Sequence, residues 1–280
     1  MAHLLNGKLI ADEVMQTLTL RISKLKERGI LPGLVVILVG EDPASEVYVR
    51  NKGIACDRLG IYSKTVKLPA ETSQVELEQC IDQYNADDNI DGILVQLPLP
   101  GHLDENRILD RISPAKDVDG FHLLNVGKLC NGQKGIVSCT PKGILHMLKS
   151  QSIPLAGKHA VIVGRSNIVG KPIALLLLQE NCTVSICHSK TENLAKLCKR
   201  ADILVVAIGR AKFITQDMVK AGATVIDVGI NRIDGKLCGD VDFDAVEEIA
   251  GYITPVPGGV GRMTIAMLMD NTVSIAEERK

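Results

Sequence analysis

The sequence has no tryptophan and few aromatic residues of any kind, 2% of 280. A core without rings has to be filled by Val, Ile, Leu and Ala. That argues for a parallel sheet covered by helices and against a sandwich built on aromatics. Net charge is nearly absent too, formally −1 at pH 7, so no field draws the chain to nucleic acid or to an anionic membrane. No apolar run approaches the roughly 18 residues that a membrane span needs. The opening Met1-Ala2-His3-Leu4-Leu5-Asn6-Gly7-Lys8 lacks the basic-then-apolar order of a secretion signal. Eight cysteines are present, but no two are spaced C-x-x-C, which removes the commonest zinc signature. The expectation is a cytoplasmic, metal-free protein whose cysteines act as small buried hydrophobes.

What is present is an ordinary globular composition, 46% apolar and 23% charged. The length suits two domains. In the first half, residues 9–28 read as a surface helix stopped at Gly29. Leu34–Gly40 reads as a buried strand, residues 45–59 as a helix ending at Gly60, and residues 73–85 as another helix. Asp91–Leu97 reads as a second strand, halted by Pro98 and Pro100. Thr140-Pro141 reads as a helix start, with Thr as cap and Pro in the first turn, followed by a helix over 142–151. A regular rhythm then sets in. Strands are expected at 160–163, 183–186, 203–207 and 224–228, with helices near 170–180, 191–200 and 215–222, and a last helix over 263–279. Strands about twenty residues apart with helices between them indicate a doubly wound sheet. The fold class is therefore α/β, with a Rossmann-like parallel sheet in the second half.

The first strand of that sheet runs into Gly164-Arg165-Ser166-Asn167-Ile168-Val169-Gly170-Lys171-Pro172. One glycine allows the sharp turn. The second lets backbone N–H groups approach a phosphate at the helix start. The spacing is not G-x-G-x-x-G, and a plain strand-to-helix turn would also use these glycines. The next strand end adds information. A site for NAD wants an acid about twenty residues on, for the ribose 2′-OH. Cys187-His188-Ser189-Lys190-Thr191 has none. Arg165, Ser189 and Lys190 offer donors and positive charge, which suits a 2′-phosphate and hence NADP. Arg165 and Lys190 could also be solvated surface charge, and His188, as readily a strand-end residue with a satisfied ring as a binder, is given no role. Ala207-Ile208-Gly209 and Asp227-Val228-Gly229-Ile230-Asn231 close the third and fourth strands, where open α/β sheets bind ligands. Asp227 serves either that site or only a turn.

In the first half, Tyr48 and Lys52 stand at i and i+4 of a helix and so share a face. Gln96 ends a buried strand, and Asp119 lies in the turn-like Lys116-Asp117-Val118-Asp119-Gly120-Phe121. Each has an ordinary explanation alone. The residues themselves lead only to an NADP enzyme with an unassigned substrate domain.

Five segments then occur in a telling order: Tyr48-Val49-Arg50-Asn51-Lys52, Val95-Gln96-Leu97-Pro98-Leu99-Pro100, Lys116-Asp117-Val118-Asp119-Gly120, Gly164-Arg165-Ser166-Asn167-Ile168-Val169-Gly170 and Pro255-Val256-Pro257-Gly258-Gly259-Val260-Gly261. Together they resemble the bifunctional methylenetetrahydrofolate dehydrogenase/cyclohydrolase family over nearly the whole chain. The resemblance implies oxidation of 5,10-methylenetetrahydrofolate by NADP and hydrolysis of the methenyl product to 10-formyltetrahydrofolate. It implies a cleft between two domains, residues 1–139 plus 263–280 for folate and 140–262 for NADP, and a homodimer. It implies Lys52, Tyr48, Gln96 and Asp119 as catalytic residues, with Lys52 the proton acceptor for hydrolysis. Tyr48, Asp119, Pro257, Gly258 and Gly259 would touch substrate. Gly164, Arg165, Ser166, Gly170, Ser189 and Ile230 would touch the cofactor.

Two positions depart from the family pattern: Arg262 where Pro follows the glycine loop, and Ser138 where Pro precedes Cys139. They leave open a member with one activity. Another NADP oxidoreductase on the same fold, acting for instance on a small hydroxy acid, would have no use for the Tyr48/Lys52/Gln96/Asp119 set. A nucleotide sensor would bind NADP without turnover.

Overall fold

The computed structural model describes residues 1–279, which divide into two compact units. Each is an α/β layer around its own aliphatic core.

One unit comprises Glu13–Cys139 and Ile265–Lys280. Its sheet has three parallel strands, ordered Tyr62–Leu68, Gly33–Val39, Gly92–Val95. Every residue of the central strand Gly33–Val39 is buried, as expected for a run of Leu, Val and Ile covered on both faces. The edge strand Tyr62–Leu68 was not foreseen. Its sequence YSKTVKL carries two lysines and is half exposed, the polar character that blunts a free edge. The helix that matters for the site is Pro43–Leu59. Asp42 caps it by accepting from Ser45 N at 2.8 Å, Pro43 opens it, and Gly60 closes it in the left-handed conformation, φ 68°. Helix Gln74–Asn85 starts at a full capping box of Ser73 and Glu76.

The other unit comprises Met1–Asp12 and Thr140–Thr264. Its six strands run in the order His3–Leu4, Tyr252–Ile253, Thr224–Asp227, Ile203–Val206, His159–Val163, Thr183–Cys187, and every pairing is parallel. From the strand His159–Val163 the chain steps outward to the edge strand Thr183–Cys187. It then returns past its starting point to Ile203–Val206. The switch point between His159–Val163 and Ile203–Val206 is where such sheets bind ligands, outside the carboxyl ends. A hairpin, Asn231–Ile233 with Lys236–Cys238, turns at Asp234-Gly235.

Three expectations need correction. Residues 1–12 cluster with the second-half unit, because His3–Leu4 pairs with Tyr252–Ile253. The span 215–222 holds only a single turn, Gln216–Met218, and breaks at Gly222, φ 77°. The helix expected from 142 begins earlier, at Cys139, so Thr140 lies inside it and does not cap it.

Candidate functional site

Lys52 lies on the helix Pro43–Leu59 and is buried, 9% exposed. A buried ammonium must be partnered or neutral. Its Nζ donates to Gln96 Oε1 at 2.8 Å. Gln96 follows the strand Gly92–Val95, and its backbone N donates to Ile37 O at 2.8 Å. The amide is fixed at its other end, because Gln96 Nε2 donates to Leu97 O at 2.6 Å. That leaves only the carbonyl oxygen to face the amine, so Gln96 is oriented as an acceptor for Lys52. Tyr48, one turn earlier on the helix, is 39% exposed.

The acid pair of the turn divides into two roles. Asp117 is buried and accepts from Phe121 N at 3.2 Å, His122 N at 2.9 Å and Asn125 Nδ2 at 2.9 Å. It pins the start of helix Leu123–Cys130 and has little acceptor capacity left for a ligand. Asp119 is different. Among the described residues its carboxylate accepts only from the Cys139 thiol, 3.6 Å away. Withdrawal from solvent pushes it up to about 6, against the opposing charge of Lys52 and with the help of Asp117. Burial in turn pushes Lys52 down, while Asp119 and Cys139 hold it up. An acid raised and an amine lowered beside each other are a usual mark of a working site.

Two further residues support this turn and were missed from the sequence. Asn271 is buried on helix Val260–Glu277 and donates to Val118 O at 2.8 Å and Val137 O at 3.0 Å. The single Cys139 S–H is shared between Asp119 and Val118 O, the latter 3.4 Å away. Ser138, one of the two departures, is buried with no hydrogen-bond partner for its hydroxyl among the described residues.

The second-half unit gathers the expected cofactor residues at the carboxyl ends of its strands. Gly164 has φ 129°, and a side chain there would collide with Ala207 O at the neighbouring strand end. One on Gly170 would collide with Gly164 O. The loop is thus wound tightly on itself at the switch point. Ser166 Oγ accepts from Val169 N and Gly170 N, both at 3.2 Å, which ties down the turn leading into helix Gly170–Gln179. Arg165, Ser189 and Lys190 are exposed, and Arg165 forms no ion pair among the described residues. His188 serves its own turn: its Nδ1 accepts from Lys190 N at 3.2 Å. Ile230 is 51% exposed at the next strand end. Pro257, Gly258 and Gly259 form the loop beyond Tyr252–Ile253, with a cis peptide before Pro257 and φ 106° at Gly258. Arg262 is exposed.

Asp227, left open between the ligand site and a turn, spends its carboxylate on backbone N–H groups, and Asp240 beside it was not foreseen. Both are buried at the ends of this sheet, and between them they accept a set of backbone N–H groups. Among the described residues, no group of His, Cys, Asp and Glu could hold a metal ion, and no helix is long and apolar enough to cross a membrane.

Residues 5–119 match the family model described as tetrahydrofolate dehydrogenase/cyclohydrolase, catalytic domain. Residues 138–280 match that described as tetrahydrofolate dehydrogenase/cyclohydrolase, NAD(P)-binding domain. The chain is 58% identical over 277 residues to the bifunctional protein FolD of Halalkalibacterium halodurans, covering 99% of each. It superposes with TM-score 0.99 on the bifunctional FolD enzyme, methylenetetrahydrofolate dehydrogenase/cyclohydrolase, of Campylobacter jejuni, at 48% identity and with both chains covered completely. The Trypanosoma brucei dehydrogenase-cyclohydrolase, solved with NADP cofactor and an inhibitor, aligns with TM-score 0.94 at 37% identity, over 99% of this chain and 97% of that one.

Proposed function

The chain belongs to the tetrahydrofolate dehydrogenase/cyclohydrolase family, and from that premise we propose that it oxidises 5,10-methylenetetrahydrofolate with NADP and hydrolyses the methenyl product to 10-formyltetrahydrofolate. The observation that carries the reading is the buried Lys52 held by an oriented Gln96, with Asp119 left nearly free beside it.

The donor set at the second-half strand ends fits NADP. Arg165, Ser189 and Lys190 are exposed, and residues 187–191 include no acid to repel a 2′-phosphate. Gly164, Ser166 and Gly170 form the phosphate turn, and Ile230 offers an apolar contact. When bound, the nicotinamide supplies the hydride acceptor. The chain's task in that step is positioning, because the folate nitrogen lone pair drives hydride loss from the methylene carbon. Tyr48 presents its ring to the flat heterocycle. Asp119, ionised, accepts two parallel hydrogen bonds from the pterin amine and ring N–H. Pro257, Gly258 and Gly259 are the further residues that the family resemblance assigns to substrate binding.

Hydrolysis then needs a proton acceptor. Water adds to the methenyl carbon, and neutral Lys52 takes its proton. As the bond from that carbon to N5 breaks, the remaining hydroxyl gives up its proton and becomes the formyl C=O on N10, N5 takes up one of the two protons that water brought, and the other is released through Lys52. Burial of Lys52 and the adjacent methenyl cation both favour the neutral amine. Gln96 aims its lone pair.

The domain reading follows the same division, with 13–139 and 265–280 holding folate and the other unit holding NADP. The family resemblance supports a homodimer, and the plain composition supports a cytoplasmic location. Purified protein should reduce NADP with 5,10-methylenetetrahydrofolate, use NAD less well, and hydrolyse added methenyltetrahydrofolate. NADP binding with neither reaction would sink the proposal. Sedimentation at working concentration tests the dimer.

A further inference from the structure

Ile208, Gly209 and Arg210 follow the strand Ile203–Val206 at the switch point. Their three consecutive N–H groups converge on one side chain. Asp240 Oδ2 accepts from Ile208 N at 2.7 Å and Gly209 N at 3.0 Å. Asp240 Oδ1 accepts from Arg210 N at 2.7 Å and from Asn231 Nδ2 at 2.8 Å. Gly209 is left-handed, φ 63°. Successive N–H groups arranged this way form a nest for an anion, and here the chain fills it with its own carboxylate.

Asp240 is itself held. Asp227 ends the strand Thr224–Asp227, and its Oδ1 accepts from Gly229 N at 3.0 Å and Asp240 N at 2.9 Å. Its Oδ2 accepts from Val241 N at 2.9 Å. The packing leaves no room for side chains: a Cβ on Gly229 would strike the Asp240 carboxylate, and one on Gly239 would strike that of Asp227. No lysine or arginine side chain bonds either acid among the described residues. The Arg210 guanidinium lies over the Phe213 ring at 4.4 Å instead. Two buried charges are thus satisfied by seven N–H donors, six of them backbone.

Segment 208–210 borders the switch point, segment 229–231 follows the next strand, Thr224–Asp227, and Ile230 lies between two clamped neighbours. We propose that Asp240, seated by Asp227, is a positioning residue for the NADP step: it fixes the 208–210 nest and the Ile230 strand end at the nucleotide edge of the sheet. The inference rests on the NADP reading given above.

The test is Asp240→Asn. Either orientation of the amide turns an NH2 toward a pair of N–H donors, so two of the four bonds must fail. The expected result is an NADP KM raised about tenfold or more. Folate KM and NADP-independent methenyl hydrolysis should stay within about twofold of wild type, since neither depends on a nucleotide contact. Amide exchange of a peptide spanning 207–211 should speed up, with or without cofactor. Asn231→Ala removes only one donor and should give the same split at a few-fold size, and it carries the test if Asp240→Asn does not fold. An unchanged NADP KM in both variants overturns the proposal. So does a parallel fall in hydrolysis, which would make Asp240 a general scaffold residue. If the wild type fails to oxidise folate with NADP, the functional reading falls. Exchange then still judges the clamp, and unchanged protection of 207–211 in Asp240→Asn refutes it.

Discussion

Asp119 in one unit and Asp227 in the other start from the same physics. Burial pushes both up to about 6. Their surroundings then part. Asp227 accepts three backbone N–H groups at 2.9 to 3.0 Å. Asp119 accepts only a weak thiol donor at 3.6 Å and feels the Lys52 charge. A perturbed acid alone therefore does not mark a reactive site. What separates the two is unspent acceptor capacity: Asp227 spends its lone pairs on the fold, and Asp119 keeps them for a ligand.

The strongest test of that contrast goes to the residue beside Asp119. Lys52→Met keeps the length and removes the proton acceptor. Methenyl hydrolysis should fall by about 10²–10⁴-fold, while NADP affinity stays unchanged. Normal hydrolysis by this variant would break the assignment.

Neutralising the two acids should then move stability in opposite directions. Asp227→Asn sets an NH2 against backbone donors that have no other partner, which should cost about 2–4 kcal/mol at pH 4 and less at pH 7.5, where the charge it removes is also penalised by burial. Asp119→Asn should instead stabilise. An acid whose folded value is raised binds more protons when folded, so stability falls as pH rises from about 4 to 6 and the loss is complete above 6. Removing that charge should return about 1–3 kcal/mol at pH 7.5 and almost nothing at pH 4. Urea melts of both variants at the two pH values decide it. Equal signs at pH 7.5 would erase the distinction. The same carboxylate, if it grips the pterin, should make folate KM rise as pH drops through about 6.

Arg165→Gln tests the other unit's exposed donors. Loss of a contact to a 2′-phosphate should raise NADP KM about tenfold and leave NAD untouched. An equal loss for both nucleotides would return Arg165 to the solvated surface.

The sequence carried this division unevenly. The aliphatic runs at 34–40, 160–163 and 203–207 announce buried parallel strands because both faces are apolar. The i, i+4 pairing of Tyr48 and Lys52 is legible from helix geometry alone. Strand Tyr62–Leu68 hid behind Lys64 and Lys67, since an edge strand may be polar. Strand His3–Leu4 is two residues long and takes its partner from Tyr252–Ile253, so no local pattern could reveal it. The Asp234-Gly235 signal for a hairpin was present and unused. Asp240 and Asn271 left the faintest trace. Their partners are mainly backbone groups 30 to 153 residues away, and a backbone N–H or C=O has no letter in the sequence. Lys52 and Gln96 could each be singled out from the sequence, one by its helix position and one by its strand end, but their pairing was implied only by the family likeness, and the structure supplies the contact at 2.8 Å.

The smallest effect expected concerns Ser138, where the family pattern has Pro. Its hydroxyl is buried, next to Cys139, and has no partner among the described residues. An unsatisfied hydroxyl costs free energy that an alanine would not. Ser138→Ala should therefore raise stability by about 1 kcal/mol, with both activities unchanged, because the backbone that places Cys139 and the Asp119 turn is untouched. If Ser138→Ala instead lowers kcat or raises folate KM, the hydroxyl is being held unpaired for a ligand. Ser138 would then stand with Asp119 as a group whose bonding capacity is kept open for substrate, and the departure from proline would be part of this chain's chemistry.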